Sequence, residues 1–191
     1  MRSFRCEYFT LTRMNSLVLV ITFLLIINSC GNGSSDLVVG KRITGKVISV
    51  IDGDTYDILL SENRTIRIRM EGIDAPEKGM PFYNLSKRYL SERCFNKNVT
   101  VLITGKDEYN RFLAKTYLTN EIELSQEMIK SGLAWHFKKY NSEIILSRLE
   151  EEARNLKKGL WIDERPMAPW ENRSLHRQGI STKDSFNIKQ N

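Results

Sequence analysis

Three short segments of alternating, β-branched residues follow one another in the first half of the chain. They cover residues 43–50, 55–60 and 65–70, with tight turns at Asp52-Gly53 and Glu62-Asn63 between them. Alternation with a period of two is typical of strands with one buried face, and such short turns join strands that are neighbours in a sheet. The pattern therefore predicts a three-stranded meander, in which the third segment has apolar residues on one face and arginines on the other.

The remaining part of the domain alternates between helical and strand-like patterns. Two further strands are predicted over residues 99–104 and 113–118, joined by a charged loop. Apolar residues at helical spacing predict three helices, over 83–95, over 124–131 and from Ser142 to Gly159. Five strands and three helices predict an α+β fold built on a five-stranded, OB-fold-like barrel.

Some expectations concern single side chains in these elements. The last helix is predicted to turn four residues inward: Ile145, Leu149, Ala153 and Leu156. The acidic run Glu150-Glu151-Glu152 is interpreted as the solvated face of that helix. His136, between two aromatic residues, is expected to be packed or hydrogen-bonded rather than catalytic. Cys94, on the apolar side of its helix, is expected to be a buried, unreactive thiol.

The N-terminal segment has the composition of an export signal. Arginines precede an apolar run over residues 17–27, and its 11 residues are too few to span a bilayer comfortably. The run ends in Ile27-Asn28-Ser29-Cys30, which resembles the lipobox of bacterial lipoproteins, where the cysteine is acylated and becomes the new N-terminus. We therefore expect an exported protein, anchored to a bacterial membrane through a lipid on Cys30. An ordinary cleaved signal leading to secretion, or an uncleaved anchor, are the alternatives.

The chain divides into four parts on composition. Residues 1–29 are the signal, and 30–40 are a tether rich in Gly, Ser and Asn. A single domain is predicted over 41–172, followed by a polar tail over 173–191 that is expected to be disordered. The signal holds three Arg and one Glu, so the processed chain would carry a net charge of +4. This excess is compatible with a polyanionic partner, although many solvated surfaces carry as much.

The cysteines exclude a disulfide-stabilised domain. Of the three, Cys6 lies in the signal and Cys30 is the expected lipidation site, which leaves Cys94 alone. A lone cysteine has no partner for an intramolecular disulfide.

Three carboxylates converge if the meander forms as predicted. Asp54 opens the second strand, while Asp74 and Glu77 follow the third, and these positions lie at the same end of the sheet. Clustered carboxylates repel one another unless a cation is present, and their hard oxygens suit calcium or magnesium rather than zinc. Taken alone, Asp52-Gly53-Asp54 is ordinary turn chemistry; the second acidic motif is what favours a metal site.

Two arginines accompany the carboxylates. Arg69 lies on the polar face of the third strand, and Arg111 opens the fifth. A guanidinium can donate two parallel hydrogen bonds to a phosphate and stays charged. Either arginine alone would be interpreted as a solvated side chain.

In combination, these residues resemble the staphylococcal nuclease (thermonuclease) family in order and spacing. The resemblance rests on Ile51-Asp52-Gly53-Asp54-Thr55, Arg69-x4-Asp74-x-Pro76-Glu77 and Tyr109-x-Arg111-x-Leu113-Ala114. It continues through Gly132-Leu133-Ala134-Trp135-His136, Tyr140 and Gly159-Leu160-Trp161. It therefore covers about residues 41–163.

The resemblance implies a calcium ion bound by the carboxylates of Asp54 and Asp74 and by the backbone carbonyl of Ala75. It implies that Glu77 activates or orients the attacking water. Such a site would act as a calcium-dependent nuclease on DNA and RNA, leaving 3′-phosphate and free 5′-hydroxyl ends.

The resemblance also assigns roles in substrate binding. Arg69 and Arg111 would clamp the phosphate and stabilise the charge that builds up on its oxygens. Tyr109 and Tyr140 match positions near the bound nucleotide. A single domain of this kind is expected to be a monomer.

Two residues depart from the family pattern. Glu108 stands where a lysine lies near the terminal phosphate, and Asn110 stands where a glycine is usual; asparagine tolerates left-handed backbone geometry better than most residues. Neither change removes a catalytic group. The alternative functions are an inactive nucleic-acid-binding module on the same fold, and a lipid-anchored interaction protein with no metal dependence.

Overall fold

The computed structural model describes residues 38–61 and 63–182. The predicted signal with Cys30, most of the predicted tether and the last nine residues lie outside the described part. Within that part, no helix is long and apolar enough to cross a membrane.

Five strands close into a barrel, and two further strands form a short ladder beside it. The strands in chain order are β1 (Arg42–Val50), β2 (Thr55–Leu59), β3 (Thr65–Met70), β4 (Ile73–Asp74), β5 (Asn98–Lys106), β6 (Phe112–Tyr117) and β7 (Trp135–His136). The barrel order is β1-β2-β3-β6-β5, and β1 pairs with β5 to close it. Only the β3–β6 pair of the barrel is parallel. The predicted meander and the five-stranded barrel are both confirmed.

The alternation of apolar and polar residues along β3 places its apolar side chains inside the barrel. Ile66, Ile68 and Met70 are buried, while Thr65 and Arg67 are exposed on the other face. The main core contains these side chains together with apolar residues of the other barrel strands, of β4 and of three of the helices. A second apolar cluster forms around Trp135 and Trp161, whose rings meet edge to face at 5.4 Å.

The described part of the chain contains four α-helices, one more than predicted. They are α1 (Tyr83–Cys94), α2 (Leu124–Lys130), α3 (Ile144–Asn155) and α4 (Pro169–Arg177), with a short 3-10 helix at Gly159–Ile162 before the last. The first three correspond to the predicted helices. Cys94 is fully buried, as expected, and burial raises the pKa of its thiol to about 12.

Helix α4 begins with strong local signals. Pro169 occupies the first turn, where its missing N–H removes no helical hydrogen bond, and the carboxylate of Glu171 accepts the N–H of Ala168 at 3.2 Å. Trp170 stacks on Phe137 with ring centroids 5.3 Å apart. The predicted boundary between domain and tail, at residue 172, falls inside this helix, because a capped and packed helix continues across it.

The inner face of α3 differs from the predicted one. Leu146, Glu150 and Ala153 are the buried residues of this helix, whereas Ile145 and Leu156 are exposed. The predictions of an inward Ile145 and Leu156, and of a solvated Glu150, are therefore wrong. The prediction of an inward Ala153 is confirmed, and Leu149 packs half-buried against the core. The physical reason is the nearby strand β7, whose backbone offers a hydrogen-bond donor that only a polar side chain of α3 can satisfy.

Candidate active site

Asp54 is held in place at the mouth of the turn between β1 and β2. Its Oδ1 accepts the hydroxyl of Thr55 at 3.0 Å, and its Oδ2 accepts the backbone N–H of Ala75 at 2.6 Å. The preceding residue must be Gly53, because a Cβ there would collide with the side chains of Ser86 and Ala75. The turn, α1 and the segment after β4 are thus packed together around one carboxylate.

Asp74 reaches the same place from β4. The backbone of Asp74 pairs with Trp135 of β7, and its side chain is almost fully buried. Arg69 joins the two acids: its Nη1 lies 2.8 Å from Oδ2 of Asp54, and its Nη2 lies 2.9 Å from Oδ1 of Asp74. The register of β2 and β3 opposes Thr55 to Arg69, so the start of one strand and the end of the next meet as the meander requires.

Glu77 lies at the side of Asp74 that faces α4. Its Oε1 is 2.7 Å from Nη1 of Arg173, and its Oε2 accepts a hydrogen bond from Nδ2 of Asn172 at 3.0 Å. Nη2 of the same arginine is 2.6 Å from Oδ2 of Asp74. Burial acts to lower the pKa of Arg173, but the two carboxylates outweigh it and raise that pKa above its ordinary value.

Arg111 is presented by the loop between β5 and β6. Asp107 organises this loop, since its carboxylate accepts the N–H groups of Tyr109 and Arg111 and lies 2.7 Å from Nε of Arg111. Burial acts to raise the pKa of Asp107, and these bonds from Arg111 and Tyr109 bring it below the ordinary value. Asn110 has a φ of 66°, the left-handed geometry for which asparagine is suited.

Two exposed tyrosines flank the site. Tyr109 is 72% exposed, with the guanidinium of Arg111 5.4 Å from its ring centroid. Tyr140 is 70% exposed and meets Phe137 edge to face at 4.9 Å. Exposed rings of this kind offer faces on which bases can stack.

All eight predicted site residues of the domain line one open cleft of about 1400 Å³. They are Asp54, Arg69, Asp74, Ala75, Glu77, Tyr109, Arg111 and Tyr140. The predicted lipidation site, Cys30, lies outside the described residues. Sequence reasoning missed Asn172 and Arg173, which contact the predicted acids. The proline and glutamate at the start of α4 could have indicated the helix, but nothing local indicates what the helix contacts.

His136 takes a supporting role, as expected. It is buried, with Nδ1 3.0 Å from the hydroxyl of Ser147 and Nε2 3.0 Å from Oδ1 of Asn141. Its backbone N–H is donated to the carboxylate of Glu150. The ring nitrogens therefore hold β7 to α3 through Ser147 and to the loop before α3 through Asn141. Because β7 pairs with β4, this also fixes the backbone of Asp74.

The carboxylate oxygens at this site are the type of ligand that a hard divalent cation prefers. Asp54 and Asp74 supply oxygens that already face a cation, the guanidinium of Arg69. Burial, and then the charge of Asp54, raise the pKa of the adjacent Asp52 to about 6. Across residues 38–61 and 63–182, no group of three or more His, Cys, Asp or Glu side chains is arranged as a metal site. An ion here would therefore need backbone carbonyl or water ligands besides the two aspartates.

Comparison with known proteins places this geometry in a family. The family model described as "Staphylococcal nuclease homologue" matches residues 67–163. An uncharacterized endonuclease of Escherichia coli O157:H7 is 38% identical over 128 residues, which are 67% of this chain and 83% of that protein. An uncharacterized endonuclease of Haemophilus influenzae is 35% identical over 156 residues, 82% of this chain and 81% of the relative.

A third relative carries a more specific name. The micrococcal nuclease of Shigella flexneri is 32% identical over 136 residues, covering 66% of this chain and 78% of that protein. The matched region of the family model includes Arg69, Asp74, Glu77 and Arg111 but ends before α4. The chain therefore belongs to the staphylococcal nuclease family and is, by that membership, a nuclease.

Proposed function

We propose that the protein hydrolyses phosphodiester bonds of DNA and RNA with the help of a calcium ion, leaving 3′-phosphate and 5′-hydroxyl ends. One observation carries the proposal. Asp54 and Asp74, 20 residues apart in the chain, meet on the guanidinium of Arg69 in a cleft that also holds Glu77 and Arg111. The cleft is open, and its volume of about 1400 Å³ exceeds the roughly 300–1,000 Å³ of a pocket for a small ligand, which suits a polymer.

The ion would be held by the carboxylates of Asp54 and Asp74 and by the backbone carbonyl of Ala75. When bound, it would supply positive charge to the phosphate oxygens and make a bound water more acidic. Calcium binds about six to eight oxygen ligands, so water molecules would complete its coordination shell.

The side chains of the protein would bind and orient the phosphate. The carboxylate of Asp107 accepts a hydrogen bond from Nε of Arg111, so the two Nη groups of Arg111 can donate to phosphate oxygens. Arg69, buried against the two aspartates, would add positive charge where the attack increases the negative charge on phosphorus-bound oxygens.

Glu77 would orient the attacking water and accept its proton. The water oxygen forms a bond to phosphorus, and the bond from phosphorus to the 5′-oxygen breaks. The released 5′-oxygen takes a proton from solvent water, and Glu77 returns the proton that it accepted to solvent. Tyr109 and Tyr140 would stack on the flanking bases. Because every base offers a ring face, such stacking predicts little sequence specificity.

The activity can be tested with plasmid and single-stranded DNA in calcium, in magnesium and in chelator. We expect degradation that requires calcium and that falls by about 10²-fold or more in Glu77→Gln and in Arg111→Ala. Arg67→Ala is the matched control, because Arg67 pairs with Asp57 on the exposed face of β3, away from the cleft. A folded protein that binds DNA but leaves it intact with every metal would identify a binding module and refute the enzyme.

We also propose that the protein is a monomer exported from the cytoplasm and anchored through a lipid on Cys30. Support for export and for the lipid anchor comes from the sequence of the first 30 residues alone. The monomer is expected because the chain is predicted to hold a single domain. Labelled palmitate should enter the wild-type protein in a bacterial host and be absent from Cys30→Ser. Equal labelling of both proteins, or none in either, would contradict the anchor. Light scattering of the purified protein tests the monomer.

A further inference from the structure

Helix α4 supplies the hydrogen-bond and ion-pair partners of the Glu77 carboxylate. Both oxygens of that carboxylate are taken by neighbouring residues of α4: Oε1 by Arg173 at 2.7 Å and Oε2 by Asn172 at 3.0 Å. These residues lie 95 and 96 positions along the chain from Glu77. A carboxylate held at both oxygens has lost the freedom to rotate about its terminal bond.

Asn172 is itself held in one orientation. Its side chain is buried, with 2% of its surface exposed, and its Oδ1 accepts the hydroxyl of Thr182. Nε2 of His176 lies 3.1 Å from the same hydroxyl. Since Oδ1 is used as an acceptor, Nδ2 is the atom that faces Glu77 and donates to it. The amide of Asn172 is buried and hydrogen-bonded at both its oxygen and its nitrogen, so its contact with Glu77 is fixed by the fold.

Arg173 ties Glu77 to the first acid of the same motif. Its two Nη groups bridge Glu77 and Asp74, and the distance to Oδ2 of Asp74 is 2.6 Å. The guanidinium is about one-third exposed, whereas the Asp74 carboxylate is almost fully buried. A planar guanidinium can hold two carboxylates at a fixed spacing, which an ammonium group cannot do.

We propose that Asn172 and Arg173 are positioning residues for Glu77, so that helix α4 completes the active site by fixing the carboxylate that orients the attacking water. The inference rests on the proposed role of Glu77. It extends the catalytic unit beyond residue 163, where the family match ends. Loss of either contact should lower turnover with little change in DNA binding, because a small displacement of a water-orienting group costs rate rather than affinity.

The test is a set of mutant cycles on the purified full chain. Cleavage kinetics on single-stranded DNA would be measured for Asn172→Asp, Arg173→Ala and Arg173→Lys, each alone and together with Glu77→Gln. Asn172→Asp keeps the shape and the acceptor for Thr182, but it replaces the donor to Glu77 with a carboxylate oxygen that repels Glu77. Arg88→Ala is the matched control, since it removes one positive charge from the exposed surface of α1, and Arg88 does not line the cleft.

We expect kcat to fall about 10- to 100-fold in Asn172→Asp and Arg173→Ala while KM stays within about twofold. Arg173→Lys should recover part of the loss, because it keeps the charge but loses the bridge. In the Glu77→Gln background, the same substitutions should cause no further loss, since residues that act through one group are not additive. Arg88→Ala should keep the kcat of the parent.

A readout without turnover accompanies the kinetics. Urea unfolding followed by tryptophan fluorescence, in chelator, should show that Arg173→Ala and Glu77→Gln shift the midpoint less together than the sum of their separate shifts. Additive shifts would refute the contact in solution. If a variant has lost the native fluorescence in the absence of urea, the coupling measured in Arg173→Lys decides instead.

Other outcomes overturn the inference in distinguishable ways. A rise in KM with unchanged kcat would make Arg173 a phosphate ligand rather than a positioning residue. A further loss of kcat in the Glu77→Gln background would show that α4 acts independently of Glu77. If Glu77→Gln itself leaves kcat unchanged, the proposed role of Glu77 fails and the inference fails with it. If Glu77→Gln is impaired and the α4 variants are not, only the inference fails.

Discussion

Replacing Glu150 tests how the small ladder beside the barrel is held. This carboxylate lies on α3 with only 2% of its surface exposed. Its Oε1 accepts the backbone N–H of His136 in β7 at 3.2 Å, and its Oε2 is 2.7 Å from Nζ of Lys138. Arg154 approaches Oε1 at 3.5 Å. We expect Glu150→Ala to destabilise the protein far more than an ordinary substitution on a charged helix face.

The magnitude follows from what each partner loses. The N–H of His136 is buried and would be left without an acceptor, which costs about 1–3 kcal/mol. The side chains of Lys138 and Arg154 are 60% and 48% exposed, so water can replace the lost carboxylate and each pair contributes at most about 1 kcal/mol. Alanine recovers a few tenths of a kcal/mol, roughly, through its helix propensity. The free energy of unfolding should therefore fall by about 2–4 kcal/mol.

Urea unfolding measures this loss directly. With a slope of about 2 kcal/mol per molar urea, the midpoint should fall by about 1–2 M for Glu150→Ala. Glu150→Gln should lose less, because its amide oxygen can still accept the N–H of His136. Glu151→Ala, next along the exposed face of the helix, should stay within about 0.5 kcal/mol of the parent. Equal midpoints for Glu150→Ala and Glu151→Ala would refute the burial and the bond to β7.

Three shorter predictions use other parts of the domain. Gly132→Ala should lower the free energy of unfolding by about 3 kcal/mol or more in urea unfolding, because φ is 67° and a Cβ would collide with backbone atoms of Lys158. Gly79→Ala, with φ of 96° but open space around it, should cost about 1 kcal/mol in the same measurement, and equal losses would contradict the close contact at Gly132. With the other two cysteines replaced by serine, Cys94 should react with a thiol reagent on the order of a thousandfold more slowly in the native protein than in urea. The reason is that burial raises the pKa of its thiol to about 12, which leaves little of the reactive thiolate; equal rates would contradict burial. Asp107→Asn should lower kcat/KM about tenfold by loosening its hold on Arg111, and unchanged cleavage kinetics would show that the loop is organised without it.

The barrel and most of the cleft could be predicted because their signals are local. The alternation in residues 65–70 determines which side chains face the core, and short turns join neighbouring strands without ambiguity. Asp54 and Asp74 could be placed together because a meander brings the start of one strand beside the end of the next. Arg69 follows from the same register, which opposes it to Thr55. No long-range information was needed for these residues.

The inner face of α3 could not be predicted from its apolar residues. Ile145 and Leu156 fit a helical stripe as well as Leu146 does, so periodicity alone cannot exclude them from the inner face. Of the four residues predicted to face inward, only Leu149 and Ala153 pack against the core. The deciding group is the backbone N–H of His136, which is invisible to any pattern of side-chain hydrophobicity. A buried donor requires an acceptor, and Glu150 is the residue of α3 that supplies one.

The contribution of α4 illustrates a stronger limit on sequence reasoning. Asn172 and Arg173 occur in a polar stretch, where a charged side chain is most simply interpreted as solvated. Their role depends on Trp170, which stacks on Phe137 and so holds α4 against the cleft. There Asn172 contacts Glu77, a residue 95 positions earlier in the chain. The motif around Glu77 predicts a carboxylate that needs neighbours, but it cannot identify neighbours supplied by the far end of the chain. An acid proposed to orient water, and found with both oxygens held, is therefore a reason to search for its partners beyond the region that the family shares.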